Sequence, residues 1–232
     1  MPGPLALVIW YIGIFLEIAF VVCSIVRKSF FRYPFLNAYF LLGLASDAAR
    51  YMFLSKFGKS SAEYCYVYFY TDVLLTLTLY VALISLYSRV FGELRLSKFV
   101  QSGAVLLLLG TALFSYAVLV QSEDRLATTT FAYELSQNLY FVGLVLTYIL
   151  WGAVLKLRET RTRLVQFILS LGLYFSAHAA SYALGNVSSQ YWFLHYLPPA
   201  LGGLLPLAWT LTMWRYSEES RLEPARLLAV AR

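Results

Sequence analysis

Charge is what this sequence has least of. Of its 232 residues only 13% are charged, against 60% hydrophobic. A soluble domain carries roughly a quarter charged residues. A chain this poor in charge cannot cover a water-facing surface, so the bilayer is its expected solvent. Cysteine is nearly missing too: Cys23 and Cys65 are the only two, which excludes a disulfide framework. Histidine is confined to His178 and His195. No H-E-x-x-H or G-x-S-x-G sequence occurs, so the common metalloprotease and serine-hydrolase signatures are absent and no enzyme is expected. Despite a net charge of +6 there is no basic run, and no nucleic acid is expected as a partner.

What the chain has instead is apolar length. Seven long segments run at about 5–26, 34–54, 64–91, 99–120, 131–155, 164–184 and 192–214. Each is near or above the roughly 20 residues that cross a hydrocarbon core as helix. The expected fold is all-α: a bundle of seven transmembrane helices over residues 1–214, followed by a short cytoplasmic tail, 215–232, in which Leu222, Leu227 and Leu228 alternate with arginines as an amphipathic helix. The loops after segments 1, 3 and 5 and the tail hold fourteen basic residues, among them Arg27, Lys28, Arg32, Arg89 and Arg163, while the opposite loops hold only Lys56, Lys59 and Arg125. This bias puts the N-terminus outside and the C-terminus in the cytoplasm. The location expected is the bacterial inner (cytoplasmic) membrane. The first segment lacks a basic start and a cleavage site and reads as a retained span.

The stretch EYCYVYFYTD at 63–72 alternates like a β-strand. In lipid an isolated strand leaves its backbone groups unpaired, so a helix starting at the outer interface is expected. On a helix Tyr64, Tyr68, Asp72 and Thr76 share one face, and Tyr66 and Tyr70 another. The upper tyrosines suit an aromatic belt. Asp72 lies about two turns in, where a carboxylate costs a few kcal/mol, so it should face the interior with Tyr68 as a donor. Similar polar stripes occur elsewhere: Asp47, Arg50 and Tyr51 in segment 2, Glu134, Gln137 and Asn138 in segment 5, and Tyr174, His178, Ser181 and Tyr182 in segment 6. All fall in the outer half, with Glu17 nearer the middle. The expected ligand-binding set is therefore Asp47, Arg50, Tyr68, Asp72, Glu134, Gln137, Asn138 and His178, lining an outward-facing pocket. Other readings stay open. Asp47 and Arg50 make sense as a self-contained ion pair, and Gln137 and Asn138 as interhelical glue. The carboxylates outnumber Arg50, which leaves one for a proton, for His178, or for a cation or amine ligand.

A weak repeat also appears. DAARY at 47–51 matches HAASY at 178–182, and GKSSAEY at 58–64 matches GNVSSQY at 185–191. Segments 1–3 and 5–7 would then be parallel repeats joined by a peripheral segment 4, which lacks ionisable residues, in a 3+1+3 transporter plan. In segment 7, Pro198, Pro199 and Pro206 with Gly202 and Gly203 predict a break or kink.

With RYPFLNAYFL in segment 2, YFYTDVLLTL in segment 3 and ISLYSRVFGEL after it, the chain resembles a group of uncharacterised bacterial seven-helix integral membrane proteins, a resemblance that implies fold and location but no site residues. Its architecture is also similar to the seven-helix input domains of bacterial sensor kinases. It departs from microbial rhodopsins, which need a lysine in the last helix. It lacks the Pro-Gln pair of SWEET-like carriers. It also lacks the glycine-aspartate motif of intramembrane aspartyl proteases and the later aspartates of CDP-alcohol phosphotransferases. His178 and His195 form a candidate haem pair, but a transmembrane electron carrier needs a second pair, so no cofactor and no metal are expected. The function expected is small-ligand binding or sensing. The alternatives are a small 3+1+3 transporter or a structural subunit of a membrane complex. Partners would be lipid, an unknown small ligand, and a membrane protein or a second copy.

Overall fold

The computed structural model describes residues 4–58, 60–90, 127–156, 162–187 and 197–217, together with positions 102, 103, 106, 107, 109–111 and 113. Most of the fourth apolar segment, His195, GNVSSQY beyond 187 and the tail beyond 217 lie outside the described residues. Six long helices are resolved: α1 (Pro4–Val26), α2 (Pro34–Phe57), α3 (Ala62–Val90), α4 (Ala127–Lys156), α5 (Thr162–Val187) and α6 (Leu197–Arg215). All regular structure among the described residues is helical. Among the described residues, four stretches are long and apolar enough to cross a membrane: Leu7–Val26, Ala62–Val90, Glu134–Gly152 and Thr162–Leu184.

Local chemistry sets the helix ends. The last turn of α1 closes as a Schellman motif: Ser29 N donates to Ser24 O and Lys28 N to Ile25 O, both at 2.9 Å. This leaves Lys28 at φ 52, where glycine is usual. Pro34 opens α2, a position where its missing N–H costs nothing, and Gly58, at φ 82, ends it. Ser61 caps α3, its hydroxyl accepting from Tyr64 N at 3.1 Å. EYCYVYFYTD is therefore helix throughout, with Tyr64 over Tyr68 and Tyr66 over Tyr70, centroids 6.2 and 6.3 Å apart. α6 runs unbroken through Pro206, whose carbonyl takes the Thr210 hydroxyl at 2.6 Å.

The helices form a closed ring in which each packs on the next in sequence and α6 packs back on α1. Neighbours alternate in direction except at two seams. Arg27, just past α1, donates to Trp214 O near the end of α6 at 2.7 Å, so α1 and α6 run parallel. Tyr87 OH donates to Leu146 O, and Asp72 lies level with Ser136, so α3 and α4 run parallel as well. Leu106, Leu107, Leu109 and Leu113 are exposed, while Thr111 is buried.

One end of the ring is basic and tightly tied. Arg163 is buried and donates to Tyr216 O at 3.0 Å, Ser29 Oγ at 3.0 Å and Met213 O at 3.4 Å. Arg89 lies over the Tyr33 ring, 4.5 Å from its centroid, and donates to Arg32 O. Asn37 secures the α1–α2 turn, donating to Phe30 O and Tyr33 O at 3.0 and 2.8 Å. Just inside this end Phe20, Phe40, Phe167 and Trp209 form a fully buried aromatic cluster, with Phe20 and Phe40 centroids 4.4 Å apart. Further along, α4 and α5 interlock through reciprocal glycines. A Cβ on Gly143 would sit 2.5 Å from Phe175, and one on Gly172 would sit 2.5 Å from Trp151.

Candidate functional site

Beyond the aromatic cluster, towards the tyrosine-rich end, the interior turns polar. α2 supplies Tyr39, Asp47 and Arg50; α3 supplies Tyr68, Asp72 and Thr76. Arg50 is anchored on α3: Nε donates to Thr71 Oγ1 at 2.8 Å and Nη2 to Tyr68 O at 3.2 Å. Its guanidinium also lies 4.6 Å from the Tyr68 ring centroid. This corrects two expectations. Among the described residues no direct ion pair joins Arg50 to Asp47, because the guanidinium is spent across the helix interface; Asp47 turns instead to the Trp10 indole on α1. Tyr68 serves as a platform for Arg50 rather than as a hydrogen-bond donor to Asp72.

Asp72 is half-buried and points towards α4, where it faces the Ser136 hydroxyl. That hydroxyl is buried and has no hydrogen bond within 3.5 Å, so the carboxylate is near it but not bonded to it. Arg50 is the nearest influential cation, at more than ion-pair distance. Around Asp72 runs a chain of tyrosines: Tyr39 lies within reach of Tyr174, Tyr174 of Tyr140, and Tyr140 of Thr76. His178 completes the cluster from α5. It is buried, its ring stacked on Tyr140 at 4.7 Å and 14°, and held against Tyr174 at 4.2 Å. Its Nδ1 lies 3.2 Å from Tyr174 O. A carbonyl only accepts, so that nitrogen carries a hydrogen.

Glu17 on α1 reaches the same interior from below. Its carboxyl packs on Gly43, 3.0 Å from where a Cβ would stand, and Oε2 is buried without a hydrogen-bond partner. Asp47 and Arg50 are its charged neighbours. Among the described residues the interior thus holds three carboxylates, Glu17, Asp47 and Asp72, facing one guanidinium.

The structure does not bring the segment-5 stripe into this cluster. On α4 the buried face runs through Ser136, Leu139, Tyr140, Thr147 and Leu150. Glu134 and Asn138 lie on the opposite side, in line with the exposed Phe141, Val145 and Ile149, and Gln137 lies on the flank. Their mutual spacing is as expected, but the face is the wrong one for a shared interior. Ser136, Tyr140 and Tyr39 take the inward places, and no polar run in the sequence singles them out. Ser181 and Tyr182 stay with the cluster, the latter 5.6 Å from Tyr140.

No family model, curated protein or solved structure matches this chain.

The arrangement has clear chemical limits. Among the described residues no group of three or more His, Cys, Asp or Glu side chains is placed to hold a metal ion. His195, the second member of the candidate haem pair, lies outside the described residues. A cavity of about 210 Å³ opens among the described residues, but at the basic end between α5 and α6. The polar cluster itself offers a carboxylate, a one-sided histidine and several hydroxyls around an aromatic lining. That set suits a small cationic or amine group better than an anion.

Proposed function

We propose that the chain is a multi-pass protein of the bacterial cytoplasmic membrane. It has seven crossings, an external N-terminus and a cytoplasmic C-terminus, and it is not an enzyme. On this reading it binds or senses a small amine-bearing ligand at an outward-facing polar site centred on Asp72. The observation that carries the proposal is the convergence of Arg50, Asp72, Tyr140, Tyr174 and His178 from four helices on one interior region, with Asp72 lacking a direct ion pair. A carboxylate kept inside apolar surroundings is a standing cost, and a cationic ligand is what offsets it.

The parallel seam between α3 and α4 supports the seventh crossing. Val90 ends α3 at the basic end and Ala127 starts α4 at the other, and the sequence between them holds the apolar segment at 99–120. Sensing ranks above transport because Phe20, Phe40, Phe167 and Trp209 close the interior beneath the site.

One observation favours a carrier as the second reading. The closed ring with two parallel seams fits a two-fold relation between α1–α3 and α4–α6. At the offset of DAARY and HAASY the buried positions of α2 and α5 agree: Tyr33, Leu36, Asn37 and Phe40 against Leu164, Phe167, Ile168 and Leu171. The deciding experiment uses purified protein and a panel of small primary, secondary and quaternary amines in a thermal-shift assay, followed by flux in sealed vesicles. An amine should stabilise the unmutated protein and Glu17→Gln but not Asp72→Asn. Amine or proton flux lost in either variant would instead make the protein a transporter.

A further inference from the structure

We propose that the groove between α5 and α6 at the basic end binds an anionic phospholipid, with its phosphate on Arg215 and Gln166 and an acyl chain along Leu211. The inference rests on the reading of the chain as a membrane bundle and concerns a different site from the one around Asp72. The groove, about 210 Å³, is lined from α5 by Gln166 and Ser170 and from α6 by Ala208, Leu211, Thr212 and Arg215. The α6 residues follow at spacings of three and four, so they form one stripe roughly 10 Å long, running from the helix end into the bundle.

The stripe has two chemical halves. In its deeper part the hydroxyls are already engaged: Ser170 accepts from Trp209 Nε1 at 2.7 Å and donates to Gln166 O at 2.8 Å, and Thr212 donates to Ala208 O at 2.7 Å. What remains exposed there is hydrocarbon from Ala208 and Leu211. At the mouth the opposite holds. Among the described residues neither the Gln166 amide nor the Arg215 guanidinium has a side-chain hydrogen-bond partner. Arg215 is not needed to cap α6, because Arg27 and Arg163 already hold the carbonyls of Met213, Trp214 and Tyr216. No carboxylate lies at this end among the described residues, while Arg27, Lys28, Arg32, Arg89 and Arg163 all do. Unused donors in a basic field, standing over an apolar slot at interfacial depth, match a phosphodiester with a chain attached.

The test is the full chain in neutral detergent, followed by thermal unfolding with added phosphatidylglycerol, phosphatidylcholine or inorganic phosphate. Phosphatidylglycerol should raise the midpoint, and the other two should not. Arg215→Gln, at an exposed position, should keep the starting midpoint but need about fivefold more phosphatidylglycerol for the same shift, the factor expected for one interfacial charge. Leu211→Trp, which fills the slot, should abolish the shift; Gln166→Leu provides a second variant at the mouth. Three results would each overturn the proposal: an equal shift with phosphatidylcholine, a shift with inorganic phosphate alone, or an unchanged lipid requirement in Arg215→Gln. Failure here leaves the amine response intact, and failure of the amine response leaves this one intact.

Discussion

The guanidinium of Arg163, at the first turn of α5, donates from Nε to the carbonyl oxygen of Tyr216 beyond the end of α6, at 3.0 Å. The same side chain reaches Ser29 in the α1–α2 turn, so one buried cation ties three helices. Arg163 is an internal cap for a helix C-terminus, where cations are favoured. Arg163→Ala should destabilise the purified protein by about 3 kcal/mol, because it leaves buried carbonyls without donors. Arg163→Lys should recover only part of this, since an ammonium cannot fork across three partners. Thermal or denaturant unfolding in detergent measures both, and a loss below that of an exposed Arg32→Ala control would refute the capping role.

The reciprocal glycines of α4 and α5 give a second test. Gly143→Ala and Gly172→Ala each drive a methyl into an aromatic ring and should cost about 1–3 kcal/mol. Gly152, on the same helix, has nothing within 4 Å of a new Cβ. Gly152→Ala should therefore be neutral or stabilising by up to about 1 kcal/mol through helix propensity. Equal effects at all three positions would show that close packing is not what these sites require.

Arg50 faces Glu17, Asp47 and Asp72. Removing it by Arg50→Gln should lower stability by about 3 kcal/mol, the low end of the range for leaving buried charge uncompensated. Adding Asp72→Asn to that variant should restore more than half of the loss, because it takes away one of the carboxylates left behind. Unfolding midpoints of the two single variants and the double variant form a cycle. Simple additivity would mean that Arg50 and Asp72 do not interact.

The tied basic end bears on topology. A reporter fused after Arg232 should be cytoplasmic and a tag before Met1 external. A periplasmic C-terminal reporter would invert the site and rule out an outward-facing pocket.

The helices were legible in the sequence for a direct reason. Apolar runs such as 34–54 and 164–184 recur as α2 (Pro34–Phe57) and α5 (Thr162–Val187), displaced by only a few residues. Asp72 and His178 were legible too, because an ionisable group in an apolar run has few tolerable orientations. Which way α4 turns was not. In a soluble helix the apolar stripe marks the core. α4 is apolar all round, with Leu139 and Leu150 buried and Val145 and Ile149 exposed, so hydropathy carries no phase. Glu134, Gln137 and Asn138 therefore read as an interior stripe although they sit on the outer side and flank of the helix. Tyr39 and Tyr140 escaped notice because they are two among 19 tyrosines. Of the break or kink expected around Pro206, the break did not occur, since α6 stays helical on both sides of it.

Closure of the ring between α1 and α6 also governs how the protein is made. α1 packs more extensively on α6 than on α2, and Phe20 meets Trp209 across that seam with centroids 6.0 Å apart. α1 is thus made well before α6, the helix on which it packs most. Until residues 197–215 are synthesised, the bundle is an open horseshoe whose unzipped edges lack the cover that Trp209 gives to Phe20 on one side and to the Ser170 hydroxyl on the other. Such an intermediate presents these groups to lipid only while it is incomplete, which gives a membrane quality-control protease a direct way to tell a stalled chain from a finished one.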